Sequence, residues 1–183
     1  NVVDGNTITV SDTGSITTTG FLVHGILNDG DDNETNVSGN ITTKNREGSG
    51  IINDGDDNET IVSGSIATEG YYAFAISNNG DDNETNVSGN ITTKRSRGSG
   101  IVIDGSNNGT IVSGSIATEG DLADAITNNG DDNETIFSGS ITTKGNWSVG
   151  IYNDGVNNET IVSGSITTKG NNCLLYTSPS PRD

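Results

Sequence analysis

The sequence repeats itself every 25 residues. Glycines recur at this spacing from Gly5 to Gly155. The segment GDDNETNVSGNITTK occurs twice without change, at 30–44 and 80–94, and the copies between them carry IVSGSIATEG instead. A strict repeat of this length is typical of a solenoid, in which each copy packs on the next one. We therefore expect about seven coils of 25 residues, built from a duplicated two-coil unit.

Residues within each copy alternate between constant and variable positions. In residues 35–44 the odd positions hardly change between copies, whereas the even positions exchange Asn for Ile, Asn for Ser or Thr for Ala. A period of two indicates a strand whose constant face points inward. A second apolar run lies at 25–28, a turn-rich segment lies at 28–33, and no stretch has helical periodicity. The sequence therefore predicts an all-β chain, a right-handed parallel β-helix over residues 1–172.

Composition agrees with a solenoid and argues against several functional classes. The 183 residues are 28% hydrophobic and carry a net charge of −17. These values would predict disorder if the repeats did not bury apolar side chains against one another. The negative charge is repelled by the phosphates of nucleic acid, so we expect no nucleic-acid partner. No apolar run reaches transmembrane length, so we expect no direct membrane insertion by this segment.

Stacking places residue i about 4.8 Å from residue i+25, so columns of equivalent residues can be predicted. The column from Asn33 to Asn158 predicts a ladder of side-chain amides, and the column from Thr18 to Thr168 predicts a ladder of hydroxyls. On the outside, the column from Lys44 to Lys144 alternates between Lys and Glu. Opposite charges on neighbouring strands attract, so this alternation supports stacking independently.

The turns are rich in aspartate, and stacking collects these carboxylates into columns of like charge. A calcium ion would relieve the repulsion, and calcium prefers oxygen ligands. The known calcium motifs are absent, because an EF-hand frame from Asp29 has Glu34 at its sixth position and Asn40 at its twelfth. A solvated acidic turn and a weak calcium site both stay open, and no other cofactor is expected. The candidate ligands are Asp29, Asp31, Asp32, Asp54, Asp56, Asp57, Asp81, Asp82, Asp131 and Asp132.

Catalysis is not expected. The chain has one histidine, His24, and its counterparts in the later copies are Ser49, Phe74, Ser99, Asp124 and Val149. Enzymes built on β-helices need a cleft, which long loops between coils provide, and the copies here do not vary in length. Ser38 and its repeats have no neighbouring base that could activate them. We therefore expect that the chain is not an enzyme.

Ice binding is a further alternative, because flat threonine-rich faces of β-helices can bind ice. Thr42 shares its outer face with Lys44 or, in the next copy, Glu69, and alanine replaces threonine at Ala67 and Ala117. A regular Thr-x-Thr array does not result. A cation-binding or ice-binding module is thus the alternative to a structural or adhesive segment.

A late copy contains the motif that most copies share. It reads Gly-Ile-Tyr-Asn-Asp-Gly at 150–155, followed by Asn-x-Thr and Ser-Gly-x-Ile-Thr-Thr. These elements resemble the coil repeats of bacterial autotransporter passenger domains and related adhesin-like surface proteins, over residues 1–170. The resemblance implies a non-enzymatic structural or adhesive segment, secreted from or anchored to the surface of a Gram-negative bacterium. Its implied partners are neighbouring coils of a longer chain and a host-cell, glycan or matrix ligand of unknown identity.

The last eleven residues, 173–183, break the repeat. They hold the chain's one cysteine, Cys173, and both of its prolines. Their sequence, CLLYTSPSPRD, resembles the translated end sequence of a transposase-based sequencing library. We therefore expect a non-native, disordered tail, appended to a β-helix segment 1–172 that is truncated at both ends. On this interpretation Cys173 carries no information about redox conditions.

Overall fold

The computed structural model of the chain describes residues 4–175, and its regular elements there are all β-strands. Twenty strands, labelled β1 to β20 in chain order, form three parallel sheets. The chain visits the three sheets in turn, so each strand pairs with the third strand before it and the third strand after it, except at the two ends of the stack, where one of these neighbours is missing. The fold is a parallel β-solenoid, as predicted. No helical segment of residues 4–175 is long and apolar enough to cross a membrane.

Two sheets have seven strands each and one has six. The first sheet contains β1 Thr7–Val10, β4 Glu34–Val37, β7 Glu59–Val62, β10 Glu84–Val87, β13 Gly109–Val112, β16 Glu134–Phe137 and β19 Glu159–Val162. The second contains β2 Ser15–Thr18, β5 Asn40–Thr43, β8 Ser65–Thr68, β11 Asn90–Thr93, β14 Ser115–Thr118, β17 Ser140–Thr143 and β20 Ser165–Thr168. The third contains β3 Ile26–Asn28, β6 Ile51–Asn53, β9 Ile76–Asn78, β12 Ile101–Ile103, β15 Ile126–Asn128 and β18 Ile151–Asn153.

The described residues make six complete three-strand coils, β1 to β18, and β19 and β20 follow as two further strands. The chain keeps the path of a coil after β20. The N–H of Gly150 donates to the carbonyl of Leu174 at 3.0 Å, and the N–H of Ile151 donates to that of Leu175 at 3.2 Å. The rest of the predicted tail, 176–183, lies outside the described residues, and the predicted boundary after residue 172 stays a prediction.

Strand pairing follows the repeat, with one exception. All pairs from β2 onward are offset by 25 residues, as Ser15–Asn40 shows, but Thr7 of β1 lies opposite Glu34. The spacing predicted that Gly5 begins the regular column of turn glycines, and this was wrong. The N–H of Gly5 donates to the carbonyl of Asp31, just as the N–H of Asp32 donates to the carbonyl of Asp56 one coil later. Gly5 therefore takes the place of Asp32 in the coil, and both have a left-handed backbone, with φ of 67° and 57°.

The core consists of inward-facing residues from all three sheets. The predicted alternation is confirmed. Thr35, Val37, Ile41 and Thr43 are buried, whereas the even-numbered residues from 36 to 42 are exposed or half-buried. Valine and isoleucine columns from the three sheets form one apolar cluster along the solenoid. Each coil contributes few apolar side chains, so this burial stabilises a coil only when its neighbours are in place.

One glycine in each coil is required by the closeness of the coils. A Cβ on Gly89 would lie 1.8 Å from the carbonyl oxygen of Gly64 in the preceding coil, and a Cβ on Gly114 would lie 1.8 Å from that of Gly89. Since no side chain fits at this distance, the glycine recurs from Gly14 to Gly164. The short turn between the first and second sheets depends on it.

The ladder of side-chain amides runs through a different column from the one predicted. Nδ2 of Asn28 donates to Oδ1 of Asn53 at 2.8 Å, and Asn53 donates in the same way to Asn78 at 2.8 Å. Asn53 also donates to Oγ1 of Thr60, seven residues later, at 3.1 Å. All four residues are buried. The ladder thus satisfies polar groups that are costly to bury without partners.

The predicted Asn33 column is buried but does not form an amide ladder, so that prediction was wrong. Oδ1 of Asn58 accepts a hydrogen bond from the backbone N–H of Asn33 at 2.9 Å. Nδ2 of Asn33 donates to the carbonyl of Gly30 at 2.7 Å. The side chain therefore bridges backbone groups of the turn, which explains why asparagine is required there.

The predicted ladder of hydroxyls from Thr18 onward was also wrong. Oγ1 of Thr68 donates to the carbonyl of Ala73, five residues later, at 2.9 Å. Thr118 donates in the same way to the carbonyl of Ala123. The hydroxyls of Thr43 and Thr93, in the alternate coils, have no hydrogen-bond partner among the described residues. The 50-residue unit seen in the sequence thus reappears in the hydrogen bonding.

The alternation of lysine and glutamate forms ion pairs between coils, as predicted. Nζ of Lys94 lies 2.6 Å from Oε1 of Glu69, and Nζ of Lys144 lies 2.7 Å from Oε1 of Glu119. These side chains are well exposed, so each pair contributes little to the free energy of unfolding.

Ile103 interrupts the asparagine ladder. It stands between Asn78 and Asn128 in the third sheet and is fully buried. Without an amide at this place, Oδ1 of Asn128 and Oγ1 of Thr110 have no hydrogen-bond partner among the described residues. The chain therefore contains both a continuous and an interrupted version of the same ladder.

The two versions allow a reciprocal test of stability. We expect Asn53→Ile to lower the free energy of unfolding by about 2 kcal/mol, because buried hydrogen bonds are lost and Thr60 keeps no donor. Ile103→Asn is expected to change stability far less, because the new amide meets Thr110 and Asn128. Chemical denaturation measures both values. Equal losses in the two variants would contradict the ladder.

Candidate functional site

The acidic turns join the third sheet to the first. They occupy residues 29–32, 54–57, 79–82, 104–107, 129–132 and 154–157. All ten predicted calcium ligands lie in these turns, and all ten side chains are exposed. Stacking brings the equivalent carboxylates into columns, as predicted.

In four of the six acidic turns, the aspartate at the third position binds the next coil. Oδ1 of Asp31 accepts a hydrogen bond from the N–H of Asp56 at 2.8 Å, and Oδ1 of Asp56 accepts one from the N–H of Asp81 at 2.8 Å. Asp81 and Asp131 make the same bond with the coils that follow them. These carboxylates satisfy backbone donors that the turn would otherwise leave without a protein partner.

The last residue of each acidic turn has a left-handed backbone, with φ between 54° and 58°. Aspartate and asparagine adopt this conformation more readily than other residues with a side chain. The requirement therefore explains the choice of residue at this place without any ligand. The residues concerned are Asp32, Asp57, Asp82, Asn107, Asp132 and Asn157.

The geometry of the acidic turns is that of a structural element. Asp29 and Asp54 occupy the first position of their turns, and Oδ1 of Asp54 accepts a hydrogen bond from Nδ2 of Asn79 at 2.5 Å. Within residues 4–175, no three His, Cys, Asp or Glu side chains are grouped so that they could hold a metal ion. Calcium binding stays a prediction.

His24 is half-buried rather than fully exposed. Its Nδ1 accepts a hydrogen bond from the N–H of Ser49 at 3.1 Å. Burial lowers the pKa of this imidazole, against the opposing effect of the Asp54 carboxylate. The side chain thus binds the next coil in its neutral form.

The most variable part of the coil is the turn between the second and third sheets, which we call the variable corner. Its residues are 20–24, 45–49, 70–74, 95–99, 120–124 and 145–149. In this order they read GFLVH, NREGS, GYYAF, RSRGS, GDLAD and GNWSV. The backbone repeats even though the side chains do not, since the equivalent N–H groups of Tyr72 and Trp147 donate to Ser96 and Asn171 in the following coils.

Bulky residues hold a left-handed backbone at the third position of the variable corner, with φ between 54° and 60°. For residues with a side chain this conformation costs about 1 kcal/mol or more, and asparagine or glycine avoids most of that cost. The acidic turns have aspartate or asparagine at this position, which suit the left-handed backbone, whereas the variable corner has larger residues that do not. Its residues at this position are Leu22, Glu47, Tyr72, Arg97, Leu122 and Trp147.

Most aromatic residues and all arginines of the described part of the chain lie at the variable corner. Two aromatic residues of residues 4–175 lie elsewhere, Phe137 in the core and Tyr152 on the outer face of the third sheet. The side chain of Trp147 is 60% exposed, which is unusual for so large an apolar group. The members at the corner are Phe21, Tyr71, Tyr72, Phe74, Trp147, Arg46, Arg95 and Arg97.

Aromatic rings and arginines contact one another across coils of the variable corner. The guanidinium of Arg97 lies 5.1 Å from the ring centre of Tyr72 and also donates to its hydroxyl. The guanidinium of Arg46 lies 5.7 Å from the ring centre of Tyr71. The rings of Tyr71 and Tyr72 meet edge to face at 4.6 Å. Such contacts order long side chains that would otherwise be mobile in water.

Depressions lie at both of these turns in the described part of the solenoid. One, of about 430 Å³, lies at the variable corner between Tyr72, Arg97 and Leu122. The other, of about 290 Å³, lies beside the acidic turns, where Gly109 replaces the glutamate of the neighbouring coils, Glu84 and Glu134. The first combines apolar, aromatic and charged groups, as ligand sites commonly do.

No family model matches the chain, and no curated protein or solved structure is significantly similar to it. The functional interpretation therefore depends on the geometry of this solenoid and on its sequence pattern.

The sequence pattern pointed to the acidic turns and missed the variable corner. Variation at His24 and its counterparts indicated a permissive surface position. The same variation, together with the unusual density of aromatic residues and arginine, could have indicated a contact surface. The left-handed backbone of Tyr72 and Trp147 could not have been found, because neither residue type predicts it.

The pKa of one acidic-turn aspartate is raised. Loss of hydration raises the pKa of Asp57, and so do four carboxylates of its own and adjacent turns, those of Asp82, Asp32, Asp56 and Asp31. A raised pKa in the folded state means that ionisation of Asp57 destabilises the fold. This aspartate therefore favours folding at low pH, and the benefit is lost as the pH rises from 3.8 through the raised value.

We accordingly expect Asp57→Asn to raise the melting temperature at pH 7. Asparagine suits the left-handed position, as Asn107 and Asn157 show. The gain is expected to shrink at high salt, because the repulsion is between exposed charges, and to vanish near pH 3. Thermal melts of the variant and the unchanged chain at pH 7, at pH 7 with high salt and near pH 3 measure the difference in melting temperature. A lower melting temperature at pH 7, or an undiminished gain near pH 3, would contradict the repulsion.

Proposed function

We propose that this chain is a non-enzymatic structural and adhesive β-solenoid segment of a bacterial surface or secreted protein, and that it contacts its ligand through the variable corner. The regular stack of coils serves as an extended support. The variable corner displays side chains that differ from coil to coil, so one backbone presents many contact chemistries along its length.

The observation that carries this proposal is the left-handed backbone at bulky residues of the variable corner. Tyr72, Arg97 and Trp147 hold it at a cost to stability that Asn172 in the same column largely avoids. Strained positions of this kind concentrate at functional sites. Tyrosine, tryptophan and arginine are also the residues that contribute most at binding interfaces.

A non-enzymatic role is supported by the constant length of the coils. From β4 to β20 every strand is offset by 25 residues from its equivalent in the next coil. The described residues therefore contain no inserted loop that could wall a catalytic cleft. The extracellular location is supported by the resemblance of the coil motif to autotransporter passenger repeats.

The alternative functions have less support. Oδ1 of Asp31 and its equivalents already accept backbone hydrogen bonds, which accounts for these carboxylates without calcium. On the outer face of the second sheet, Ala67 and Ala117 interrupt the threonines that an ice-binding face would need.

Replacement of exposed corner residues tests the proposal. We expect Leu122→Asn combined with Trp147→Asn to reduce adhesion about fivefold or more. The melting temperature is expected to stay the same or rise, because asparagine suits the left-handed backbone. Adhesion is measured as retention of beads coated with the chain on epithelial cells and on surfaces coated with matrix proteins or polysaccharides.

Val156→Ser is the matched control. Val156 is an exposed apolar residue in an acidic turn, and Ser106 occupies the same place two coils earlier. This variant is expected to adhere like the unchanged chain. The proposal is contradicted if the corner variant adheres normally, or if beads with the unchanged chain are retained no better than albumin-coated beads on every surface.

A further inference from the structure

The depression at the variable corner results from one small residue between two larger ones. Phe74, Ser99 and Asp124 are equivalent residues in three consecutive coils. The side chain of Ser99 is short and buried, while those of Phe74 and Asp124 are partly exposed on either side of it. Since adjacent strands lie about 4.8 Å apart, the backbones that carry the two walls of this groove are about 10 Å apart. That width admits a single ring between an aromatic wall and a carboxylate wall.

The aromatic wall is held in place by an arginine. The guanidinium of Arg97 lies over the ring of Tyr72 and donates to its hydroxyl. Arginine has five N–H donors, so donors remain for a ligand after this bond. Phe74 adds a second ring on the same side. The wall thus offers an apolar face with a hydrogen-bond donor at its rim.

The opposite wall is a carboxylate with a fixed orientation. Oδ1 of Asp124 accepts a hydrogen bond from the N–H of Val149 at 2.6 Å, and a hydrogen bond with the side chain of Thr127 also acts on this carboxylate. Burial raises the pKa of Asp124, and these two hydrogen bonds act in the opposite direction. Thr127 and Asn129 also line the groove, so polar groups surround this wall.

The charge of the groove differs from that of the rest of the chain. Its two charged side chains are those of Arg97 and Asp124, and their opposite charges cancel. The chain as a whole carries −17, so an anionic ligand would be repelled on approach and would also face Asp124. An uncharged ligand meets no such penalty.

These features together fit one class of ligand. We propose that the groove between Phe74 and Asp124 binds a pyranose ring of a neutral glycan. The apolar face of the sugar packs on the aromatic wall, and its hydroxyls meet Arg97, Asp124 and Asn129. The volume of about 430 Å³ lies at the small end for ligand sites and suits one or two sugar units.

An extended peptide fits less well. Peptides that bind to sheets commonly add a strand to an open edge. The strands beneath the groove, β9, β12 and β15, are each paired on both sides, so no edge is open there. This inference rests on the proposed adhesive function and names the ligand class for one part of the variable corner.

Saturation-transfer NMR on the full chain tests the groove. The probes are the methyl glycosides of glucose, galactose, mannose and N-acetylglucosamine, with glucuronic acid as the charged comparison. We expect saturation transfer to at least one neutral glycoside, and a reduction of about fivefold or more in Phe74→Ser and in Asp124→Ser. Serine occupies this column naturally at Ser49 and Ser99, so both variants are expected to fold.

Val156→Ser, far from the groove, is expected to keep the full signal. The inference is overturned if no neutral glycoside shows transfer at millimolar concentration, if Phe74→Ser leaves the transfer unchanged, or if glucuronic acid binds more strongly than every neutral probe. If no sugar binds but adhesion still falls when Leu122 and Trp147 are replaced, this inference is overturned and the proposed function stands. Adhesion that is unaffected at Leu122 and Trp147 would overturn the proposed function.

Discussion

Parallel pairing of each strand with the strand 25 residues before it is the interaction on which the rest of the structure depends. The pairing leaves no room for a side chain at Gly89, and it places equivalent residues of neighbouring coils in direct contact. A chain with 28% hydrophobic residues could not form a conventional globular core. Here each coil buries its few apolar side chains on those of the next, so stability accumulates along the stack.

The same pairing decides what each surface of the solenoid can do. Inward-facing columns must match from coil to coil, because a mismatch such as Ile103 leaves Oγ1 of Thr110 and Oδ1 of Asn128 without hydrogen-bond partners among the described residues. The acidic turns are constrained as well, by their left-handed backbone and by carboxylates that bind the next coil. The variable corner has the same left-handed backbone but does not keep one residue type there, so it is the surface on which Tyr72 and Trp147 differ from their equivalents.

The periodic parts of the fold could be predicted from the sequence, because period two and period 25 follow directly from strand geometry. The details of the polar columns could not. A column of asparagines such as the one that includes Asn33 indicates burial. It does not indicate whether the side-chain amide forms hydrogen bonds with another amide or with the backbone. The offset of Gly5 and the left-handed backbone of Trp147 depend on local turn geometry, which residue identity leaves open. For this reason the acidic turns were predicted as a candidate site and the variable corner was missed.

Distances between spin labels along one exposed column test the stacking most directly. With Cys173→Ser as the background, cysteine labels at Ser15 and Ser140 span five coils, as do labels at Asn40 and Ser165. Both pairs should lie about 24 Å apart, and a Ser15–Ser165 pair should lie about 29 Å apart, since each coil adds about 4.8 Å. Pulsed electron resonance measures these separations. Unequal five-coil distances, or a six-coil distance no longer than the five-coil ones, would contradict the account.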